Sequence, residues 1–213
     1  MGVKMKRKNT ISSVILFLSA LTIFVSTIHA QEFKLIQGFN LSSYSTEPDQ
    51  IVSMGIPTIV YDYKIKSVTG LLLGAGLEFD LSKKIAIEID ALYFQKGSHI
   101  EVNESWALNY DITAASIPIL IKIKLLSGLP AYFLGGGELS IILTHEQNES
   151  TITEDTETFD SGLVAGGGIE IKIRNTIICL EGRYHLGLRD ITRNWPFDSI
   201  KTKAVVILWG IKM

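Results

Sequence analysis

Apolar and polar side chains alternate along much of this chain, and this period of two is the feature that most constrains its fold. From Ile117 to Leu125 every odd position holds isoleucine or leucine, while the even positions include Lys122 and Lys124. The end of the chain repeats the pattern, with one side formed by Val205, Ile207, Trp209, Ile211 and Met213. Successive side chains of a β-strand leave opposite faces of the sheet. The pattern therefore predicts strands with one apolar face and one mixed face.

The same period recurs often enough to predict an all-β fold of eight strands. The segments are 33–43, 67–80, 85–97, 111–126, 131–145, 161–173, 176–190 and 203–213. Connections after the second, fourth and sixth segments are short, whereas the others are long: 44–66, 98–110, 146–160 and 191–202. Tight turns at one end and long loops at the other are typical of a transmembrane barrel. We therefore expect an eight-stranded antiparallel up-and-down transmembrane β-barrel.

The first 30 residues have the features of an export signal. Four basic residues lie between Lys4 and Lys8, residues 11–28 are mostly apolar, and the small Ala30 marks the expected cleavage site. This order is that of a cleaved signal peptide. An uncleaved membrane anchor is the alternative, because the apolar stretch is long enough to span a bilayer. The expected organisation is a signal peptide over residues 1–30 and one barrel domain over residues 31–213.

Charge and cysteine content exclude several classes of function. The predicted signal contains four of the 20 basic residues and none of the 22 acidic residues, which leaves a net charge of −6 on the mature chain. A nucleic-acid partner requires a basic face, so none is expected. The single cysteine, Cys179, excludes an intramolecular disulfide and a metal site built from several cysteines.

Alternation alone does not decide which face points inward. A membrane barrel turns its apolar face to lipid, whereas a soluble lipocalin-like barrel turns it to the cavity. The mixed faces are rich in glycine, which suits a crowded interior: Gly70, Gly74, Gly76, Gly136, Gly166 and Gly168. They also carry seven acidic and seven basic residues that we expect to pair across the interior: Glu78, Asp80, Glu88, Asp90, Glu138, Glu170, Glu181, Lys34, Lys96, Lys122, Lys124, Lys172, Arg183 and Lys212. These features favour the membrane barrel.

Four segments give the chain a resemblance to a known family. They are 88–97 and 116–124 in the middle strands, 180–191 in the seventh strand, and the terminal 210–213. In their order and spacing, residues 33–213 resemble the small outer-membrane β-barrel domains called porin-family or OmpX-like proteins. The resemblance implies a place in the outer membrane of a Gram-negative cell and contact with the barrel-assembly machinery during biogenesis. Such barrels usually end in an aromatic residue, whereas this chain ends in Met213.

No catalytic, cofactor-binding or metal-ligating residue is predicted. The glycine triplets at 135–137 and 166–168 lack the helix and the lysine of a phosphate loop. Cys179 has no activating base nearby, since His185 lies about 20 Å further along the same strand face. The remaining candidates, His99, His145 and Ser98, lie near loop bases as in barrels that transfer lipid acyl groups, but their spacing does not select that chemistry. We expect the histidines to be solitary and exposed, and the protein not to be an enzyme.

Two long connections have distinctive compositions. The 146–160 connection carries acidic residues and no basic residue: Glu146, Glu149, Glu154, Asp155, Glu157 and Asp160. It is either a solvated loop or a site for divalent cations that bridge anionic lipopolysaccharide. The 191–202 connection mixes basic and aromatic residues, Arg193, Trp195, Phe197 and Lys201, which suits contact with lipid headgroups or sugars.

An eight-stranded barrel is just filled by its own side chains, so a structural or loop-mediated interaction role at the cell surface is expected. The alternatives are a small porin-like channel for ions or small solutes, and a soluble periplasmic lipocalin-like binding barrel. The expected partners are outer-membrane lipid and lipopolysaccharide, and the expected state is a monomer without a cofactor.

Overall fold

A computed structural model describes residues 32–47, 50–53, 59–102, 106–125, 130–148, 150–151, 156–191 and 199–213. The predicted signal peptide, residues 1–30, lies outside this part of the chain, and so does most of the predicted turn at 127–130. None of the described residues forms a helix that is long and apolar enough to cross a membrane.

Ten strands make up the described fold. They are β1 (Glu32–Glu47), β2 (Gln50–Ser53), β3 (Ile59–Asp80), β4 (Ile85–Val102), β5 (Trp106–Lys124), β6 (Ala131–Gln147), β7 (Ser150–Thr151), β8 (Phe159–Ile173), β9 (Thr176–Gly187) and β10 (Ser199–Lys212). Eight of them are long, and the short β2 and β7 add to the outer parts of β3 and β6.

The long strands form a closed antiparallel ring in the order β1, β3, β4, β5, β6, β8, β9, β10. Closure comes from β1, which pairs with β10 on one side and with β3 on the other. Lys34 of β1, for example, lies opposite both Lys212 and Gly76. A closed ring leaves no long unpaired strand edge. The predicted eight-stranded up-and-down barrel is confirmed.

Side-chain burial shows which face is inside. On β5 the side chains of Ile119 and Ile121 are about half exposed, whereas Leu120 and Lys122 are fully buried. The apolar face therefore points outward, and the mixed face lines the interior. This is the arrangement of a membrane barrel and the opposite of a lipocalin-like barrel.

Two of the predicted tight turns are present at one end of the barrel, which we call the turn end. Between β3 and β4 the amides of Leu81 and Ser82 both donate to the carbonyl oxygen of Ile85. Between β8 and β9 the two-residue turn places Arg174 at a φ of 55°. The left-handed conformation at Arg174 is the one that such a short connection requires.

The predicted long connections are wrong in extent, because the strands continue beyond the apolar band. Residues 59–66 belong to β3, and residues 98–102 and 106–110 belong to β4 and β5. Residues 146–147 and 199–202 likewise extend β6 and β10. For β3 and β6 the reason is one extra residue at a register shift, which lies between Ser67 and Leu72 of β3 and between Ile142 and Thr144 of β6. A register shift changes the phase of the alternation, so a period-two pattern breaks there although the strand does not.

Candidate functional site

The interior near the turn end holds a dense network of charged side chains. Four cationic and four anionic side chains, each at most 2% exposed, form this inner charge network: Lys34, Lys122, Arg183, Lys212, Glu78, Glu88, Asp90 and Glu181. Equal numbers of the two signs leave the buried network electrically balanced. Balance matters because an unpaired charge in a desolvated interior is costly.

Arg183 is the centre of the inner charge network. Its Nη1 lies 2.6 Å from Asp90 Oδ2, and its Nη2 lies 2.6 Å from both Glu88 Oε1 and Glu181 Oε2. The Nε also donates to Glu181 Oε2 over 2.7 Å. A guanidinium suits this position because its planar fork donates in several directions at once.

Lys34 and Lys122 add further ion pairs to the inner charge network. Lys34 Nζ lies 2.5 Å from Glu88 Oε1 and 2.8 Å from Glu181 Oε1. Lys122 Nζ lies 2.9 Å from Glu78 Oε2 and also contacts Glu170, and the same ammonium stacks 3.8 Å from the centre of the Tyr132 ring. These contacts involve seven of the eight long strands of the barrel, all but β10.

At the turn end the network reaches solvent. Lys212 contacts Glu78 and Glu170, and its Nζ lies 2.9 Å from Glu32 Oε2. Lys124 Nζ lies 2.6 Å from Asp80 Oδ1. The expected participation of Lys172 is wrong: its side chain is exposed and has no ion pair within the described part of the chain, because β8 ends there in the turn.

An apolar layer lies above the inner charge network. Along β4 the inward side chains run Glu88, Asp90, Leu92, Phe94 and Lys96, so the polarity changes twice along one strand face. The layer consists of Ile36, Leu72, Leu92, Phe94, Ala204, Val206 and Leu208, all nearly inaccessible to solvent. A filled interior was expected for eight strands, but a continuous apolar layer was not.

A second polar layer follows, centred on Glu138. Its carboxylate accepts from His185 Nδ1 over 2.7 Å and lies 3.6 Å from Lys96 Nζ. Lys96 Nζ also stacks 4.5 Å from the centre of the Phe94 ring. Asp160, predicted as part of an external loop, is instead buried on β8 and accepts from Thr202 over 3.1 Å. Asp160 pairs with Ser140 of β6, so the barrel wall continues past this residue.

The end opposite the turns, the loop end, is filled by an outer apolar cap. Its buried members are Tyr44, Ile100, Tyr110, Ile112, Ala114, Ile142, Ile191 and Ile200. Inside the cap His145 is held through both ring nitrogens, with Nε2 3.1 Å from Tyr44 Oη and Nδ1 2.7 Å from Thr156 Oγ1. Ile191 and Ile200 come from a connection that was predicted to be an external loop.

The histidines are not solitary exposed residues, as had been expected. His145 and His185 are buried and hydrogen-bonded, and His99, on the outer face, lies 2.5 Å from Asn109 Oδ1 through its Nδ1. Ser98 points to the interior, so it lies on the opposite face from His99. Cys179 is a buried free thiol on the interior face of β9. The structure does not bring these residues together.

Several predicted surface residues lie outside the described residues, namely Glu149, Glu154, Asp155, Arg193, Trp195 and Phe197. Of the acidic connection, Glu146 belongs to β6, and Glu157 lies 3.6 Å from the exposed Arg189. Within the described ranges, no three or more histidine, cysteine or acidic side chains are placed to hold a metal ion.

Comparison with known proteins agrees with this architecture. Residues 29–193 match the family described as outer membrane protein beta-barrel domain, which is well over half of the chain. The chain belongs to that family. It is an integral protein of the outer membrane, so the turn end is periplasmic and the loop end faces outward.

Three solved structures are similar to this chain at low sequence identity, and the first of them shows the same fold. Neisserial surface protein A is 9% identical, with a TM-score of 0.51 over 85% of this chain and 97% of its own. OprG from Pseudomonas aeruginosa is 16% identical, with a TM-score of 0.48 over 86% and 96%. Ail of Yersinia pestis, solved with the heparin analogue sucrose octasulfate, is 13% identical, with a TM-score of 0.44 over 85% and 98%. No curated protein sequence matches the chain.

Proposed function

We propose that this outer-membrane barrel is a monomeric, non-enzymatic surface protein that contacts its partners through its loop end and does not conduct solutes. The observation that carries the proposal is the balanced inner charge network, whose eight charged side chains are each at most 2% exposed. An open water-filled channel would hydrate such groups. Eight strands leave an interior that side chains can fill completely.

The two apolar layers support the same proposal. The layer around Phe94 and Leu208 crosses the interior between the two polar layers, and the outer apolar cap around Tyr44 and Ile100 closes the loop end. Apolar constrictions of this kind exclude water and ions. A solute entering from either side would therefore meet closely packed side chains.

The loop end is the part of the molecule that is free to bind a partner. Strands β3, β4 and β5 continue beyond the apolar band, and their outer faces there carry polar residues such as Lys66, His99, Glu101 and Asn109. Strand extensions of this kind hold binding loops on a rigid base. Outer-membrane lipid and lipopolysaccharide surround this region and are the first partners we expect. During biogenesis the barrel-assembly machinery is the expected partner.

Planar-bilayer recording of the purified, refolded protein tests the proposal. A pore-forming barrel reconstituted in the same way controls for successful insertion. We expect no reproducible single-channel steps from this protein. Stable steps that disappear when Glu138 is replaced by a bulkier residue would contradict the proposal, because they would place a conducting path through the second polar layer. The small porin-like channel would then be the better account.

A further inference from the structure

A pocket in the outer wall of the barrel lies where the ladder between β3 and β4 is interrupted. Ser67 pairs with Ser98 and Leu72 pairs with Phe94, but the residues between them do not pair. The resulting cavity has a volume of about 170 Å³ and is lined by residues of β3, β4 and β5. This is room for several waters at about 30 Å³ each, or for one sugar ring.

The interruption is stabilised from the interior side. The side chain of Ser42 on β1 reaches past β3 to β4. There its Oγ accepts from the Gly97 amide over 2.8 Å and lies 3.2 Å from the Gly97 carbonyl oxygen. Asn40 Nδ2 donates to the Gln95 carbonyl oxygen over 2.7 Å. These side chains take the place of the missing ladder partners. The wall is therefore held together at this point although its ladder is interrupted, and a Cβ at Gly70 of β3 would lie only 2.0 Å from the Gln95 carbonyl oxygen of β4.

The outward side of the pocket has unused hydrogen-bonding groups. Thr69, Gln95, Asp111 and Thr113 share the face that carries the lipid-exposed side chains of their strands. Within the described residues none of these four side chains makes a hydrogen bond. Together they present hydroxyl, amide and carboxylate groups, which include both donors and acceptors.

The height of the pocket places it at the level of lipid headgroups. On the same face, Leu71 and Ile117 lie just below it and belong to the exposed apolar band. His99 and Asn109 lie just above it and are polar. The boundary between apolar and polar wall marks the outer interface of the bilayer.

We propose that this pocket binds the sugar hydroxyls of an outer-leaflet glycolipid. Hydroxyl groups both donate and accept, which matches the four outward-facing side chains. Of the charged lining residues, Asp111 faces outward and can accept from a hydroxyl, whereas Lys96 directs its ammonium to the interior, 3.6 Å from Glu138. Gly97 lets β4 approach β5 closely beside Asp111, since a Cβ there would lie 2.6 Å from the Tyr110 carbonyl oxygen and 3.1 Å from Asp111 Oδ1. The inference rests on the proposed function for its expected lipopolysaccharide partner and names a site for it, but it does not need a closed interior.

Nuclear magnetic resonance in nanodiscs tests the site, with rough lipopolysaccharide added to phosphatidylcholine as the probe. We expect saturable shifts of the Gln95 side-chain amide and of the Gly97 backbone amide. Thr113→Val removes one hydroxyl and should raise the lipopolysaccharide fraction at half-saturation by about fivefold, the loss typical of one hydrogen bond. The matched control is Thr144→Val, which alters the exposed cross-strand partner of Thr113 outside the pocket and should change nothing.

Three outcomes would overturn the proposal. The first is the absence of saturable shifts in the wild-type protein. The second is an equal change in the lipopolysaccharide fraction at half-saturation for Thr113→Val and Thr144→Val, which would mean that the response does not come from the pocket. The third is an equal response to phosphatidylethanolamine or phosphatidylglycerol without lipopolysaccharide, which would make the ligand an ammonium or a phosphate. None of these results bears on the conductance of the barrel, so the two proposals fail separately.

Discussion

Arg183 Nη1 lies 2.6 Å from Asp90 Oδ2 inside the barrel, although 93 positions separate the two residues in the chain. Both side chains are almost completely buried, and Arg183 also holds Glu88 and Glu181. The contact connects β9 with β4 on the other side of the ring. The order of the strands in the ring therefore brings these two side chains together across the interior.

Removal of the arginine should destabilise the barrel strongly. Arg183→Met leaves buried Asp90 without its ion-pair partner and removes one of the partners of Glu88 and Glu181, so we expect a loss of about 3–5 kcal/mol in the free energy of unfolding. Urea unfolding in lipid vesicles measures it. The matched control is Arg189→Met, because Arg189 is half exposed and its pair with Glu157, at 3.6 Å, should contribute about 0–1 kcal/mol. Equal losses would show that the interior network is hydrated.

Glycine at position 136 is predicted to be a steric requirement. A Cβ there would lie 2.0 Å from the carbonyl oxygen of Ile119 in the neighbouring strand, whereas a Cβ at Gly182 would have no atom within 4 Å. Gly136→Ala should therefore cost about 1–3 kcal/mol in unfolding free energy. Gly182→Ala should stay within about 0.5 kcal/mol of wild type. A neutral Gly136→Ala would mean that β5 and β6 are less closely apposed than described.

Ser42 is predicted to hold the interrupted part of the wall together. Ser42→Ala leaves the Gly97 amide without its partner, so its hydrogen exchange should accelerate, and the unfolding free energy should fall by about 1–3 kcal/mol. Ser45→Ala, on the exposed face of the same strand, serves as the control and should leave exchange at Gly97 unchanged. Unchanged exchange at Gly97 in the Ser42 variant would show that another group satisfies this amide.

A charge on the outer face should be poorly tolerated only within the apolar band. Ile121→Lys places an ammonium in lipid and should cost about 2–4 kcal/mol if it lies near the midplane. Leu81→Lys introduces the same charge in the periplasmic turn, where water is available, and should have little effect. Refolding into vesicles followed by urea titration compares the two variants. Similar losses of unfolding free energy in the two variants would contradict the placement of Ile121 in the lipid-facing apolar band.

Strand faces were predictable from the sequence because the alternation is strict where the wall is regular. It assigned Ile121 outward and Lys122 inward, and it brought Glu88, Asp90 and Arg183 to one interior. The outward extension of β3 was not predictable, since the register shift near Ser67 reverses the phase of its pattern. A bulge leaves no clear signal in a single sequence.

The detailed packing of the interior could not be predicted from the sequence either. Leu92 stands between Ala91 and Tyr93, outward residues that are themselves apolar or aromatic, so the pattern there does not reveal an apolar layer inside. The contacts of His145 with Tyr44 and Thr156 depend on how three distant strands meet at the loop end. Such contacts follow from the register and tilt of a closed barrel, which local patterns do not contain.

The fluorescence of Trp209 tests most directly the central claim that the apolar faces contact lipid while the charged faces are buried. Trp209 lies on the outward side of β10 beside Phe39, with ring centres 5.6 Å apart. Replacing Trp106 and Trp195 by Phe leaves Trp209 as the single tryptophan of the mature chain. In vesicles, brominated acyl chains should quench its emission strongly and aqueous acrylamide should quench it weakly. Weak quenching by bromine together with strong quenching by acrylamide would contradict the account.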